Sequence, residues 1–363
     1  MHLKQLKINN YRNLEDLSMT FSEKINCFVG ENGVGKTNIL DTIYYLSFCK
    51  SYFNTQDQRN IRTDQEYFTI HGEYDFEQSI ERFSCALKKG DKKKFRCGDK
   101  DYNRFSEHIG KIPLVMITPS DQEIILGGSE VRRRFVDQVI SQADNVYLDN
   151  LIQYNRAIEQ RNKLLKYFQQ NNSFDEMALS IWDEQMIRYG KEINKKRREF
   201  VEEIKPPFEY YYDYISSGKE NIDIRYSSSN YEEDFEAILL EARQKDRVMG
   251  HSTVGVHRDD IDLLLDGINI KRYASQGQQK TFLLALKLAQ FEYLYKHKKE
   301  KPILLMDDIF DKLDLGRIEQ LINLVGSDRF GQVFLTDTQI GRVESIFENK
   351  DIKHKIYRHD VSW

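Results

Sequence analysis

At the start of the chain single apolar residues are set among polar ones: Leu3, Leu6 and Ile8, then Leu14, Leu17, Met19 and Phe21. This near-alternation predicts two half-buried strands joined across residues 10–13. Residues 25–29 (INCFV) replace the pattern with a short, mostly apolar run that leads straight into a glycine-rich loop. Beyond the loop Ile39, Leu40, Ile43, Tyr44 and Leu46 recur at helical spacing. A strand, a loop and a helix are therefore expected in that order.

Alternation resumes between about residues 67 and 95. Phe68 and Ile70 alternate, as do Phe83, Cys85 and Leu87, with Lys89-Gly90-Asp91 as a turn, so antiparallel strands are predicted. Residues 112–117 form a further apolar strand. After Gly127-Gly128 the chain becomes long, charged and helical, over about 129–168 and again over 174–204. Val131, Phe135 and Val139 mark one face of the first stretch, and Pro206-Pro207 is expected to end the second. Residues 222–226 predict a strand. From residue 251 strands and helices alternate again: an apolar helix over 276–295, then apolar runs at 303–306 and 333–335. Short apolar strands between helices predict a partly parallel α/β sheet buried on both faces.

Composition narrows the class. The 363 residues exceed one typical domain, and 31% charged with 40% hydrophobic residues describes a soluble, globular chain. No apolar run approaches the ~20 residues that cross a bilayer, and residues 1–14 lack the order of a signal peptide. No membrane association and a cytoplasmic location are expected. Cys27, Cys49, Cys85 and Cys97 form no CxxC pair and have no histidine cluster beside them, so they read as reduced and unpaired rather than as a zinc site. A net charge of −4 argues against coating nucleic acid by bulk electrostatics and leaves a local basic groove open.

The candidate chemistry starts in residues 30–37, which read GENGVGKT. Gly30, Gly33 and Gly35 let the backbone curl so that successive N–H groups, including those of Glu31, Asn32 and Val34, face phosphates. The helix that follows adds its positive end, with Asn38 in its first turn. Lys36 is placed to reach the β- and γ-phosphates of ATP, and the Thr37 hydroxyl to ligate Mg²⁺. Such a loop needs an acid at the end of a neighbouring strand. Ile303-Leu304-Leu305-Met306-Asp307-Asp308 supplies it, because a carboxylate ending a buried strand is costly unless paired or metal-bound. Asp307 is the expected Mg²⁺-side carboxylate, directly or through water, and Asp308 the group that polarises the attacking water. Upstream of that strand, Ser275-Gln276-Gly277-Gln278-Gln279-Lys280 opens a helix and makes a second anion site. One γ-phosphate and two such sites predict a dimer in which each serine-glycine helix closes over the other chain's ATP.

A P-loop, the S-x-G-Q-Q signature, an apolar run ending in two acids and then Asp311-Lys312-Leu313-Asp314 together resemble an ABC-type ATPase head of the SMC kind. Finer matches are similar to the bacterial RecF family. They are Asn10-Tyr11-Arg12-Asn13-Leu14, Lys36-Thr37-Asn38-Ile39-Leu40, Thr118-Pro119-Ser120-Asp121, Gly127-Gly128-Ser129, Arg132-Arg133-Arg134-Phe135-Val136-Asp137 and His257-Arg258-Asp259-Asp260, with Ser275 to Thr281 completing the set. They span nearly the whole chain. The departures are Gly33, where the family usually has a small residue, and Val256, where it commonly has proline. The resemblance implies an ABC-type P-loop ATPase head, a mixed sheet plus an antiparallel sheet, with an inserted helical lobe. The head would take residues 1–118 and 250–363, and the mainly helical lobe 119–249.

The resemblance further implies an ATP-gated homodimer of recombinational repair. It would bind DNA at gaps and single-strand/double-strand junctions and work with recombination mediator proteins in recombinase loading, replication restart and the SOS response. Slow ATP hydrolysis would release the clamp. Gly30 to Asn38 carry over as nucleotide residues and Arg12 as a nucleotide-side or DNA-side arginine, with Ser275, Gly277 and Gln278 as contacts to the partner's γ-phosphate, Lys36 and Asp308 as catalytic residues, and Thr37 and Asp307 as metal residues. Thr336 or Thr338 stands where many ABC ATPases have a switch histidine. Asp308 is shorter than the glutamate of many ABC heads, which suits a slow, weak ATPase.

Three rival classes fit less well. An SMC structural protein needs long heptad arms, a metabolic P-loop kinase needs no signature helix, and a transporter ATPase has no place for the RecF-like pieces. Other basic stretches keep two readings. Arg132-Arg133-Arg134 is a solvated face paired to Glu130 and Asp137, or a contact to phosphate or the partner head. Lys88, Lys89, Lys92, Lys93, Lys94 and Arg96 form a hairpin that follows a phosphate backbone or merely protects a sheet edge. Lys195 to Arg198 and Lys296 to Lys301 are surface features or DNA contacts. His257-Arg258-Asp259-Asp260 lacks the ligand count of a metal site and reads as a hydrogen-bonded brace beneath the nucleotide.

Overall fold

The alternating and continuous apolar runs become two different kinds of sheet. A computed structural model describes residues 1–77, 79–216, 220–229, 231–310, 315–348, 350 and 352–359. The chain divides into two compact units, Met1–Asp121 with Leu284–Trp363, and Gln122–Leu283.

In the first unit β1 (His2–Tyr11), β2 (Leu14–Thr20), β3 (Ile25–Val29) and α1 (Lys36–Phe48) precede β4 (Tyr67–Phe76), β5 (Ser79–Lys88), β6 (Lys94–Cys97), β7 (Lys100–Asp101) and β8 (Leu114–Ile117). The alternating strands form a six-stranded antiparallel sheet of order β2-β1-β4-β5-β6-β7. One face of that sheet is apolar: Phe68, Ile70 and Tyr74 of β4 and Phe83, Cys85 and Leu87 of β5 are buried, as period-2 patterning requires. β3 and β8 are buried at every position and join a different sheet.

The second unit holds α2 (Glu123–Leu126), α3 (Ser129–Ala143), α4 (Asn145–Asn171), α5 (Glu176–Ser216), β9 (Ile222–Ser227), α6 (Tyr231–Met249), β10 (Asp260–Leu265), β11 (Ile268–Asn269) and α7 (Ile270–Tyr273). The next helix, α8 (Gln276–Lys298), belongs to this unit through Leu283 and to the first unit from Leu284 onward. The first unit then adds β12 (Ile303–Met306), α9 (Leu315–Gly326), β13 (Val333–Asp337), α10 (Ile340–Phe347) and β14 (His354–Arg358). Its second sheet has the order β14-β3-β13-β12-β8, with every neighbouring pair parallel. Residues of both sheets and of α1, among them Leu6, Phe68, Ile43, Leu305 and Phe334, share one core.

Three expectations change. The helical stretch after Gly128 breaks at Asp144, whose side chain accepts from Val146 N and Tyr147 N at 2.9 and 3.0 Å and so starts α4 as its N-cap. Pro206 and Pro207 do not end α5, which continues to Ser216. Two backbone donors are lost, but Phe208, Tyr211, Tyr212 and Ile215 are buried beyond them. Phe208 packs edge-on to Phe282 at 4.7 Å between ring centroids, and this packing holds the last turns helical against local preference. Finally, residues 250–283 cluster with the helical unit. β10 pairs antiparallel with β9, and Arg132 of α3 makes a two-pronged ion pair to Asp260 at 2.8 and 2.9 Å.

A buried charge cluster ties the helical unit. Arg161 of α4 is fully enclosed and bonds Asp183 of α5 and Asp246 of α6, each at 2.6 Å. Among the described residues no helix is long and apolar enough to cross a membrane.

Candidate nucleotide site

Parallel strands finish at a common edge, and ligands of such sheets gather there. In register, Thr336 lies beside Phe28 and Asp337 beside Val29, while Met306 lies beside Leu335. The loop after β3, the two acids after β12 and the end of β13 are thereby brought to one place. They line a cavity of about 260 Å³ with Asn32, Gly33, Gly35, Lys36, Thr37, Asn38, Asp307, Asp308 and Thr336.

The loop is held by bonds at both ends. Gly30 N–H donates to the Asp337 carbonyl at 3.3 Å. Gly35 caps α1 with φ +113°, a conformation open to glycine. A side chain there would start 2.8 Å from Leu14 Cδ2 and 3.1 Å from Asn13 Oδ1. Asn13 donates to the Gly33 carbonyl at 2.9 Å and accepts from Asn38 Nδ2 at 2.6 Å. Lys36 is largely buried, and its Nζ donates to the carbonyls of Gly30 and Glu31 at 2.7 and 2.8 Å. Its ammonium thus lies inside the curl of the loop, where it favours phosphate oxygens.

Thr37 Oγ1 lies 2.9 and 3.0 Å from the two carboxylate oxygens of Asp307. Thr336, 1% exposed, donates its hydroxyl to Asp307 Oδ1 at 2.8 Å and accepts from the Asp308 backbone N–H at 2.9 Å. Asp308 sits at φ +49°, a left-handed conformation that aspartate tolerates better than most residues. Burial raises the Asp307 pKa above its ordinary value, against the lowering effects of Thr336, Thr37 and Lys36. A buried carboxylate beside a hydroxyl suits a hard cation such as Mg²⁺, which takes few protein oxygens and completes its shell from phosphates and water. Among the described residues no group of three or more His, Cys, Asp or Glu could form an all-protein cage.

Arg12 lies beside this loop. Its guanidinium donates to Asn38 Oδ1 at 2.8 Å, Ser51 Oγ at 2.9 Å and Asn60 Oδ1 at 3.1 Å, and pairs with Asp41 at 2.8 Å. Asp41 holds this arginine in place and is not among the candidate residues of the sequence. Fully buried in α1, it also accepts from Tyr11 OH, Ser51 Oγ and Tyr52 N at 2.6, 2.8 and 2.7 Å. The available signal was an acid at residue 41 inside an otherwise apolar helix, which demands a partner. Thr338 is half-buried two residues beyond Thr336.

Ser275, Gly277 and Gln278 lie in the second unit, at the start of α8. Ser275 N–H donates to Gln278 Oε1 at 2.6 Å, and Gln278 N–H donates to Ser275 Oγ at 3.3 Å. This is a reciprocal capping box, and the exposed Ser275 stands at the helix tip. The segment Asp311-Lys312-Leu313-Asp314 lies outside the described residues. His257-Arg258-Asp259-Asp260 braces the second unit itself. Tyr154 OH and His257 Nδ1 are 2.9 Å apart, Arg133 donates to the Asp259 carbonyl at 2.5 Å, and Tyr226 OH donates to the Asp259 carboxylate. Arg134 pairs with Glu130 at 2.8 Å, while Asp137 is taken by Arg197 at 2.9 Å.

A P-loop, a strand-end acid pair and parallel strands converging on them define an ABC-type ATPase head of the SMC kind. Residues 2–357 match the family described as RecF/RecN/SMC N terminal domain. The chain is 50% identical to the DNA replication and repair protein RecF of Phocaeicola vulgatus over 98% of its own length and 96% of that protein's. It is 47% identical to RecF of Flavobacterium johnsoniae over 98% and 99%. Its fold is similar to a recombination mediator protein RecF of the RecFOR pathway solved as RecF-ATP, with TM-score 0.86, 29% identity and coverage of 99% and 97%. The Smc head domain of Pyrococcus furiosus, at 15% identity and TM-score 0.56, covering 95% and 91%, shares the fold. The chain belongs to the RecF family of DNA replication and repair proteins.

Proposed function

We propose that the chain is an ATP-gated DNA clamp of recombinational repair that binds ATP–Mg²⁺ at the cavity above β3, β12 and β13. The observation that carries the reading is the joint bonding of Thr37, Asp307, Thr336 and Asp308 beneath the loop of residues 30–37. The solved relative RecF-ATP supports it. The loop amides and Lys36 hold the phosphates, with Arg12 and Asn38 bracing the loop's flank. Thr37 and Asp307 hold Mg²⁺, which when bound neutralises phosphate charge. Asp308 orients the water that attacks the γ-phosphate and accepts its proton, giving ADP and phosphate. Its short side chain and fixed backbone suit slow turnover. Ser275, Gly277 and Gln278 of a second copy close over the γ-phosphate, so that ATP joins two chains and hydrolysis releases them.

DNA is the macromolecular partner. A surface cleft of about 490 Å³ on the antiparallel sheet is lined by Tyr67, Lys88, Asp91, Lys92 and Lys94 among others. Tyr67 is 46% exposed, and stands opposite Lys88 in the sheet. An aromatic face among lysines suits a backbone with unstacked bases, as found at gaps and junctions. Recombination mediator proteins, recombinase loading, replication restart and the SOS response belong to the same reading.

The test is ATP-dependent association measured on gapped and on blunt DNA, with Lys36→Met as control. Association and gap binding that rise with ATP, and are lost in the control, support the proposal. No effect of ATP on either sinks it.

A further inference from the structure

The capping box at the start of α8 depends on a residue that lies well before it in the chain. A glutamine amide carries a donor at one end and an acceptor at the other, in nearly equal volumes, so its orientation has to be set by its neighbours. Gln278 turns its oxygen to Ser275 N–H, because its nitrogen donates to Glu220 Oε1 at 2.6 Å. The other Glu220 oxygen accepts from Tyr212 OH. Tyr212 is buried near the end of α5 and packs edge-on to Phe282 of α8, 6.3 Å between centroids. The continuation of α5 through Pro206 and Pro207 therefore places the hydroxyl that holds Glu220.

We infer that Glu220 is a positioning residue of the signature helix: it fixes the Gln278 amide and, through the bond from Ser275 N–H to that amide, the backbone that carries the Ser275 hydroxyl. The inference rests on the reading of Ser275 as the contact to a second copy's γ-phosphate. Ser275 Oγ accepts from Gln278 N–H, so its hydroxyl hydrogen is left to be donated outward. Without Glu220 the amide loses the bond that anchors its nitrogen and can swing away to water, leaving Ser275 N–H without its acceptor. That breaks one side of the box. The charge of Glu220 has a distinguishable effect. A carboxylate near the site opposes an arriving phosphate, so a role through charge alone would make its neutralisation tighten the dimer.

The full-length chain is compared with Glu220→Ala, Glu220→Gln and Tyr212→Phe. Association is followed by sedimentation at fixed ATP and magnesium over a protein-concentration series. Nucleotide affinity is measured separately on dilute chain, where the P-loop acts without a partner. Glu220→Ala is expected to raise the concentration for half-association about tenfold, the scale of one hydrogen bond to a charged group, with nucleotide affinity unchanged. Glu220→Gln keeps an acceptor for Gln278 and is expected to lie within about threefold of the natural chain, since a neutral acceptor retains about half of the bond. Tyr212→Phe keeps the packing on Phe282 and should weaken association in the same direction as Glu220→Ala; it carries the test if the alanine variant does not fold. Association of Glu220→Ala or Tyr212→Phe equal to the natural chain overturns the inference, as does a glutamine variant as impaired as alanine or one that binds tighter. If the natural chain itself fails to associate with ATP, the reading of Ser275 falls first and the positioning role falls with it.

Discussion

Replacing Thr336 by valine removes one oxygen and keeps the β-branched shape that suits β13. That oxygen serves both acids, donating to Asp307 at 2.8 Å and accepting from the Asp308 N–H at 2.9 Å. Losing a hydrogen bond to a charged group costs about 1.5–3 kcal/mol, and a backbone donor left without its partner in a buried site costs about 1–3 more, with incomplete additivity. A destabilisation of about 3 kcal/mol follows, or a fall of roughly 6–12 °C in Tm. The sign of the pH effect is also defined. Burial already raises the Asp307 pKa and Thr336 lowers it again, so Thr336→Val raises it further. On the proposed role of Asp307, Mg²⁺ would take the ionised carboxylate, and its affinity would fall as pH drops through the Asp307 pKa. In the variant that fall begins at higher pH. Calorimetric melting and Mg²⁺ titration of the nucleotide-bound chain across acid pH measure both effects. Thr338→Val is the control, expected within about 0.5 kcal/mol of the natural chain. If Thr336→Val melts and binds Mg²⁺ like the natural chain, the bridging role is refuted.

Gly35→Ala forces a side chain onto φ +113° and against Leu14 and Asn13; nucleotide affinity should drop at least about tenfold with a stability loss of about 1–3 kcal/mol, read by ATP titration and melting. Arg161→Met leaves Asp246 buried without its cation and takes from Asp183 one of its two arginines, Arg243 being the other; a loss of about 3–5 kcal/mol is expected in calorimetry, with ATP affinity unaltered. His108 is fully buried and held at a pKa of about 4, chiefly by desolvation. Because the unfolded chain takes up this proton first, stability should fall on the order of 3 kcal/mol as pH drops from about 6.5 to 4, and His108→Asn should flatten that part of a pH series of melts.

What could be read from the residues was whatever local pattern alone decides. Residues 303–306, apolar throughout, and 25–29, apolar except for Asn26, became strands with those bounds, because a strand buried on both faces is built mainly from apolar residues. The glycine spacing required a curled loop, and the loop is there. Pro206 and Pro207 misled because their local penalty is real, yet Phe208 and Tyr212 find Phe282, and residue spacing does not show that contact. Ser275 and Gln278 were read only as an anion site, although their separation is also that of a capping box. The grouping of residues 250–283 with the helical unit rests on the β9–β10 pairing and on Arg132 with Asp260, partners separated by many residues.

The order of strands in the parallel sheet carries one consequence beyond assembly of the site. The loop of residues 30–37 follows β3 and the acids follow β12, and β13 lies between them. That middle strand is bonded to both sides: the Asp337 carbonyl accepts from Gly30 N–H, and Thr336 joins Asp307 and Asp308. Its end is tied onward, since the Asp337 carboxylate accepts from Arg342 of α10 at 2.8 and 2.6 Å and from Gln339 N–H at 2.7 Å. Packed strands do not stretch, so a shift of the acids against the loop has to be taken up by β13 or by its bonds. A phosphate drawing on Lys36 and a water held by Asp308 would therefore pull on the same strand from opposite sides, and α10 is the next element that strand holds.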